Sequence, residues 1–580
     1  MDDNNRYKIT SEDYFDLIIE YHNNLDILRN LSANSSYNIL DDKYAIVYTP
    51  LNGNIENAYY LFGYNSLPDC SGLMSIINEN YTEIMPEFNL DPSGILSVKS
   101  STSYDLDGEG VLIGIIDTGV DYMNPTLLYP DKTSRIVSIW DQTIDSENYP
   151  KDLYYGTEYK KYHINYALSQ TDPFSFLPSR DEVGHGTTLA TIAGGNFNTA
   201  SGFSGIANNC EFAIVKLKQA KNPLREFLRI PENKPCFQSN DIMFAVKYLI
   251  GLAQSLKRPI AICIGVSTSQ GSHEGLSYLD TYISQQGRIP CTVILVPAGN
   301  EGGYGHHYSG KTNSNFSYDE FLLNIGSSSQ GFTMEFWGTP PYLYSIDIFS
   351  PNNDLLGTIP MTYSGSVTQK FTYQSTVLYV SNLVRHTFSG AQLILFRFLN
   401  PSSGIWRFRV RNFCELSAPF DVWLPINNFL TNDVYFMDSS YYTTLTATAN
   451  ADIPIAVTSY NTLFNSISPQ ASKGFTRSYS YKPDVAAPGE NIIASTVGNQ
   501  LISVSGTGVA TAHTTGAIAL LLEWGVVRGN LTTVNTNSVR NILNLSAIRE
   551  ENTFYPNQYW GYGKLNLPSA LEYANTYQSQ

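Results

Sequence analysis

The sequence predicts an α/β protein with a doubly wound parallel sheet, a small α/β unit before it and an antiparallel β-sandwich inserted into it. Apolar runs that end in polar or glycine-rich turns recur along the chain, and segments with helical periodicity separate them. Between about residues 305 and 440 the pattern changes to short alternating runs. Continuous apolar strands joined by helices are typical of parallel sheets that are covered on both faces.

Four apolar runs supply the predicted parallel strands: VLIGIID (111–117), FAIVKL (212–217), IAICIG (260–265) and VILVPAGN (293–300). The segment SNDIMFAVKYLIGLAQSL between the second and third runs has helical periodicity. The first run ends in Asp117 and the turn TGVD. Because functional groups of α/β proteins lie at the carboxyl ends of parallel strands, we expect Asp117 to belong to a site.

The predicted insertion consists of short runs with alternating apolar residues, namely TMEFWG, YSIDIFS, KFTYQST, VLYVSN, QLILFRFL, IWRFRVRN and FDVWLPI. Turn clusters such as PNND and NPSSG punctuate them. This pattern favours an antiparallel β-sandwich. Strand-like and turn-like stretches typical of the sheet domain follow the insertion, so the sheet domain is predicted to be discontinuous in sequence.

The start of the chain is predicted to form a separate α/β unit of roughly 90 residues. It contains a strand-like run, YAIVYT (44–49), and a helical-looking segment at 55–60. The predicted division is therefore an amino-terminal unit (1–92), the first part of the sheet domain (93–304), the insertion (305–440) and the second part of the sheet domain (441–580).

Composition argues against nucleic acid as a partner. The chain has 580 residues, with 35 basic against 52 acidic residues and a net charge of −17, which is the wrong sign for a phosphate backbone or an anionic membrane surface. No apolar run approaches the roughly 18 residues of a membrane span, and the first residues lack the features of a secretory signal peptide. We expect no membrane span and synthesis without a signal peptide.

Cysteine and histidine spacing gives no signal for a metal or another cofactor. The cysteines occur without CxxC spacing, and we interpret them as buried free thiols: Cys70, Cys210, Cys236, Cys263, Cys291 and Cys414. The adjacent pair His306 and His307 lies in a glycine-rich stretch and is predicted to be solvated. A calcium-loop pattern of the D-x-D-x-D-G type is absent from the sequence.

Four short motifs carry residues suited to acyl-transfer chemistry. They are IIDTGVD with Asp117, EVGHGTTLATIAG with His185, PAGNEGG with Asn300, and SGTGVATAHTTG with Gly508. A serine hydrolase needs a carboxylate to orient a histidine, a histidine to take a hydroxyl proton, and a hydroxyl at a helix start. An asparagine amide can stabilise the oxyanion. Of the groups that a serine hydrolase needs, the four motifs lack only the nucleophilic hydroxyl.

In this order, and with KPDVAAPG and YWGYGKLNLPSALEYA, the motifs resemble those of the subtilisin-like serine proteases over residues 111–304 and 441–572. The stretches VLIGIIDTGVDYMNPTLL and SRIVSIWDQT, with the insertion, are similar to the clostridial Csp germination proteases. Those spore proteins have a prodomain, a subtilase core and a jelly-roll insertion. The resemblance implies that Asp117 orients the histidine, His185 is the general base and Asn300 is the oxyanion donor.

The resemblance places Gly508 where the family has its nucleophilic serine. In subtilisin, loss of that serine costs about 10⁶ in turnover and leaves about 10³–10⁴ over water. Glycine is tolerated near a helix start at a cost of a few tenths of a kcal/mol relative to serine. Neighbouring hydroxyls, on Thr507, Ser505 and Ser503, are expected to be wrongly placed. We therefore expect a folded but inactive member of the CspC or CspA kind.

Such a pseudoprotease would regulate or sense spore germination signals by binding. Its prodomain is expected to stay attached, and a restored serine is expected to cut between about residues 87 and 100. Possible partners are other Csp-type proteases, a cortex hydrolase zymogen or a small-molecule germinant, and the expected location is the spore. Two alternatives stay open: an active endopeptidase that processes a zymogen cortex hydrolase, and a structural partner that stabilises another Csp-type protease.

Overall fold

The computed structural model describes residues 5–30, 34–51, 66–78, 91–197, 203–312, 318–362, 366–383, 389–412 and 416–576. Its centre is a nine-stranded sheet, which confirms the predicted doubly wound parallel architecture. Eight strands follow one another in the order Ser466–Ile467, Ile455–Asn461, Thr292–Pro297, Ile260–Ile264, Leu112–Asp117, Glu211–Lys216, Ile136–Asp141 and Thr157–Lys160, and Val485–Pro488 also pairs with Ile455–Asn461. All of these pairings are parallel except the two that add the outermost strands.

Helices cover both faces of this sheet. The described helices are Tyr7–Thr10, Leu25–Arg29, Ile95–Lys99, Lys161–Leu168, His185–Gly194, Asn222–Leu228, Ser239–Leu256, Tyr278–Gln286, Ala447–Asn450, Thr507–Leu522, Thr536–Ser546 and Leu567–Thr576. The helices His185–Gly194 and Thr507–Leu522 share one apolar cluster with Ile113 and Ile115. On the opposite face, Ser239–Leu256 packs in a cluster with Leu112 and Ile116. This is the alternation that a buried central strand requires.

None of these helices is long and apolar enough to cross a bilayer.

The amino-terminal unit contains an antiparallel sheet of three strands, in the order Tyr14–Glu20, Tyr44–Pro50 and Ser36–Ile39. The predicted strand at 44–49 is therefore confirmed. The predicted helical segment at 55–60 lies outside the described residues.

Two antiparallel sheets lie between residues 307 and 436. One has the order His307–Thr312, Ala418–Trp423, Gly331–Gly338, Leu393–Leu399, Thr376–Leu383 and Ser366–Tyr373. The other has the order Leu355–Ile359, Tyr344–Phe349, Gly404–Asn412, Tyr318–Ile325 and Tyr435–Phe436. They share an apolar core, in which Phe336 and Phe396 of the first sheet meet Phe321 and Phe408 of the second. Burial alternates along Tyr318–Ile325 and Gly404–Asn412, as expected for a sandwich strand with one face in the core, whereas Gly331–Gly338 and Leu393–Leu399 are buried along almost their whole length.

The prediction of buried free thiols holds for four of the five described cysteines, whereas the prediction that His306 and His307 are solvated is wrong. Four described cysteines are buried free thiols, Cys291 is a half-buried free thiol, and Cys414 lies outside the described residues. His306 and His307 are buried instead of solvated. Glu301 binds His306 at 2.7 Å, and His307 contacts Asp421 at 3.0 Å, so carboxylates offset the cost of burying both rings.

A buried ion pair joins the amino-terminal unit to the sheet domain. Lys221 Nζ donates to Asp16 Oδ1 at 2.6 Å, and both side chains are almost fully buried. The same ammonium donates to the backbone carbonyls of Lys8 and Tyr14. All three bonds cross between the two units, so this lysine holds the amino-terminal unit against the sheet domain.

Removing the positive charge of Lys221 should loosen the amino-terminal unit. Lys221→Met leaves Asp16 buried without its counter-charge, which costs about 3–5 kcal/mol for pairs of this kind. We expect faster thermolysin digestion within residues 5–51 while the rest of the chain stays resistant. Arg29→Ala, which removes an exposed pair with Asp26, is the control and should change little. Equal digestion of both variants would contradict the anchoring role.

Candidate active site

Asp117 and His185 meet at the carboxyl end of the central strand, as the motifs predict. His185 Nδ1 lies 2.7 Å from Asp117 Oδ1, and both side chains are buried. Asp117 Oδ1 also accepts from the backbone N–H of Thr118 at 2.7 Å. This arrangement places the proton on Nδ1 of the histidine and leaves Nε2 as the acceptor.

Burial alone would lower the pKa of His185, but the negative charge and hydrogen bond of Asp117, together with the charge of Asp181, raise that pKa above the ordinary value of 6.5. His185 is thus a stronger base than its burial alone would allow, because Asp117 and Asp181 stabilise the protonated ring.

The GHG motif has a steric cause. Gly184 precedes the helix with φ +81°, which favours glycine, and a Cβ on Gly186 would lie 2.2 Å from the backbone oxygen of Gly119. The helix start therefore approaches the turn after the central strand closely enough for His185 to reach Asp117.

Asp181 is a site residue that the motif analysis missed. Its carboxylate accepts from the hydroxyl of Thr118 and the backbone N–H of Gly184, and from both the backbone N–H and the hydroxyl of Thr187. It therefore ties the turn after Asp117 to the start of the His185 helix. The sequence does contain a signal for this role, because an aspartate shortly before a helix start is a common capping residue.

Gly508 lies in the first turn of the helix Thr507–Leu522, at the predicted nucleophile position. A Cβ on Gly508 would lie 3.4 Å from Ser75 Oγ, which itself contacts His185 Nε2. The glycine therefore faces the same hydrogen-bonding nitrogen that a nucleophilic serine would use, but it supplies no hydroxyl.

The neighbouring hydroxyls do not replace it. Thr507 Oγ1 donates to Asn300 Oδ1 at 3.1 Å and accepts from the N–H of Gly299, so it points into the packing below the helix. Ser505 Oγ accepts from Asn491, and Ser503 Oγ is buried. These contacts agree with the expectation that the three hydroxyls are wrongly placed to act as the nucleophile.

Asn300 lies beside the helix start, but its bonds differ from the predicted ones. Its side-chain oxygen accepts from the backbone N–H of Thr507 at 3.0 Å and from the Thr507 hydroxyl. The amide nitrogen lies on the other side, toward Gly506. Asn300 therefore caps the first free N–H of the helix, in addition to any role as a donor.

A segment of the amino-terminal unit fills the groove beside these residues. Strand Cys70–Leu73 pairs antiparallel with Val266–Ser267 on one side and with Phe237–Gln238 on the other. Further along, Ile76–Asn78 pairs antiparallel with Leu501–Ser505. The chain is therefore held by backbone pairing on both sides of residues Met74 and Ser75.

The Met74 carbonyl lies directly above Gly508. The N–H of Gly508 donates to Met74 O at 2.8 Å, and a Cβ on Gly508 would lie 3.1 Å from Met74 C. A hydroxyl on residue 508 would thus face the Met74–Ser75 peptide bond. The bond held beside Gly508 lies more than ten residues before the cut expected between about 87 and 100, so this geometry favours the earlier bond.

The same position shows why glycine suits this arrangement. A Cβ on Gly508 would lie only 2.7 Å from Met74 O, closer than side-chain carbons approach in folded proteins. Any larger residue must therefore push the segment outward. Glycine lets the segment lie against the helix start.

Replacement of Asn300 separates its two roles. Asn300→Ala leaves the buried N–H of Thr507 without its acceptor, so we expect a loss of about 1–3 kcal/mol in unfolding free energy. Asn300→Asp keeps an acceptor and adds a negative charge near a helix start, so it should retain most of the stability. Thermal unfolding of both variants measures this. If the two variants were equally destabilised, the capping role would be wrong.

Two comparisons with known proteins give matches of very different extent. A solved structure, that of the Clostridium perfringens CspB protease, superposes with a TM-score of 0.74 at 31% identity, covering 84% of this chain and 98% of that one. A curated relative, the subtilisin-like protease SBT3.6 of Arabidopsis thaliana, is 32% identical over 112 residues. That match covers 17% of this chain and only 14% of the plant protein.

The subtilase family (peptidase S8) matches residues 108–563, which include Asp117, His185, Asn300 and Gly508. The fold, the order of these positions and the likeness to CspB agree with that match. The chain belongs to the subtilase family.

Proposed function

We propose that this protein is a catalytically inactive, Csp-type subtilase that acts by binding. The observation that carries the proposal is Gly508, which lies at the nucleophile position below the Met74 carbonyl. Without a hydroxyl there, the Asp117–His185 pair has no side chain on the sheet domain to activate for attack on a peptide. The fold survives because glycine at a helix start costs little.

We propose that this role is the regulation or sensing of signals in bacterial spore germination. The similarity to the Clostridium perfringens CspB protease over almost all of that chain supports membership of the same group. The proposed location is the spore, and the proposed partners are other Csp-type proteases, a cortex hydrolase zymogen or a small-molecule germinant. The strong negative charge of the chain argues against nucleic acid.

The proposal includes the division of the chain into a prodomain (1–92), a subtilase core in two parts (93–304 and 441–580) and a jelly-roll insertion (305–440). The backbone pairing of Cys70–Leu73 and Ile76–Asn78 and the buried Lys221–Asp16 pair support a prodomain that stays in place. A prodomain that remains covalently attached becomes a permanent part of the binding surface.

One observation favours a second candidate function, an active serine endopeptidase that processes a zymogen cortex hydrolase. Asp117 and His185 keep the hydrogen bond and the orientation that a general base needs. This candidate requires a nucleophile that Gly508 does not supply, so it ranks below the first.

Intact mass under denaturing conditions separates the two functions. The wild-type protein should run as one chain near 64.6 kDa, because no hydroxyl attacks the Met74–Ser75 bond from position 508. A wild-type chain that is cut at this bond, with the cut lost in His185→Ala, would contradict the inactive assignment. Denaturing conditions are needed because backbone pairing would hold both fragments together.

Restoring the nucleophile should restore cleavage at a defined bond. Gly508→Ser puts a hydroxyl beside the Met74 carbonyl carbon and within reach of His185, so we expect self-cleavage between Met74 and Ser75. Gly508→Ala is the matched control, since it adds the same Cβ without the oxygen. Mass mapping identifies the bond. A cut elsewhere, or an equal cut in Gly508→Ala, would contradict the assigned geometry.

A further inference from the structure

The hydroxyl that is missing from residue 508 is present on the bound segment. Ser75 Oγ is hydrogen-bonded to His185 Nε2, and His185 Nδ1 is bonded to Asp117 Oδ1 at 2.7 Å. The carboxylate, imidazole and hydroxyl therefore form a continuous chain of hydrogen bonds. Two members come from the sheet domain, and the third comes from the amino-terminal unit.

The position of this hydroxyl is suited to reaction with an incoming molecule. Ser75 is partly exposed, whereas His185 and Asp117 are buried behind it. The residue that carries the hydroxyl is therefore closer to solvent than the base and the carboxylate behind it. A buried base with a fixed carboxylate is the arrangement that activates serine in hydrolases.

A second serine–histidine hydrogen bond in the same chain provides a comparison for the base strength and the exposure of the Ser75–His185 pair. Ser93 Oγ lies 3.0 Å from His513 Nε2, and both residues are buried. Burial lowers the pKa of His513 to about 3, so this ring is a weak base. By contrast, Asp117 and Asp181 raise the pKa of His185. The two pairs have the same hydrogen bond but differ in base strength and access.

We propose that Ser75 is the reactive hydroxyl of this protein, activated by His185 and Asp117, and that it is a modification site for electrophilic phosphonyl or acyl donors. The proposal goes beyond the proposed function, because a chain that cleaves no peptide can still carry an activated serine. Ser75 takes the chemical place of the family's nucleophile without taking its position in the sequence.

The reaction with a fluorophosphonate probe is written as a simple displacement. Ser75 Oγ attacks phosphorus, the oxygen–phosphorus bond forms, the phosphorus–fluorine bond breaks, and fluoride leaves. His185 Nε2 takes the hydroxyl proton and later releases it to solvent. Since the N–H of Gly508 is bonded to Met74 O, general-base assistance is the main contribution, which is worth about 10²–10⁴ in rate.

The test uses the full-length wild-type protein and a small fluorophosphonate, followed by intact mass and peptide mapping. We expect one adduct, on Ser75, that is absent in Ser75→Ala. Asp117→Asn and His185→Gln should slow labelling by about a hundredfold or more, because the base is weakened or removed. Ser93→Ala is the matched control and should label like wild type. Circular dichroism checks that each variant is folded.

The pH profile distinguishes an activated serine from an exposed one. Labelling needs neutral His185, so its rate should rise with pH and level off above the pKa of that histidine. Asp117 and Asp181, the charged groups that act on the ring, place this inflection above 6.5. The inflection should be lost in His185→Gln.

Adducts spread over several serines, or equal rates in wild type and a folded His185→Gln, would overturn the proposal. The proposed lack of peptide cleavage is judged separately, from the unlabelled mass of the same protein. A chain that labels at Ser75 but stays intact supports both proposals. A chain that is cut at Met74–Ser75 without labelling at Ser75 contradicts both.

Discussion

The arrangement of this site depends on one backbone interaction, the antiparallel pairing of the segment 70–78 with strands on both sides of the groove. Strands at the edge of a groove present unpaired N–H and C=O groups that need partners. Here Val266–Ser267 and Leu501–Ser505 find those partners in the chain's own amino-terminal unit. This pairing sets the Met74 carbonyl above Gly508 and the Ser75 hydroxyl beside His185.

Much of the fold and half of the site follow from sequence patterns. Buried parallel strands are nearly continuous apolar runs, so the strand that ends at Asp117 and the helix Ser239–Leu256 are recognisable within a residue or two. Asp117 and His185 meet because a strand end and a helix start converge at the same edge of the sheet. These features can be predicted because each depends on only a few residues that are neighbours in the sequence.

The other features of the site depend on tertiary contacts and backbone pairing, which no pattern of side chains in the sequence reveals. Ser75 and His185 are joined by backbone register, and CSGLMSIIN contains no motif that would place its serine against a histidine. The direction of the Asn300 amide is likewise invisible in sequence, since the same side chain can donate or accept. His306 is buried beside Glu301 because of tertiary contacts, and the glycine-rich sequence around it contains no pattern that predicts them.

The presence of Asp117 and His185 beside a glycine at position 508 has a physical explanation that does not involve turnover. Removing either side chain would strand a buried partner at a cost of about 1–3 kcal/mol. The hydroxyl of Ser75 adds a partner for the outer nitrogen of the ring, so His185 has hydrogen bonds at both nitrogens in the closed groove. A histidine that is bonded on both sides stabilises the bound segment as well as the core. These bonds therefore stabilise the Asp117–His185 pair in the closed groove independently of any turnover.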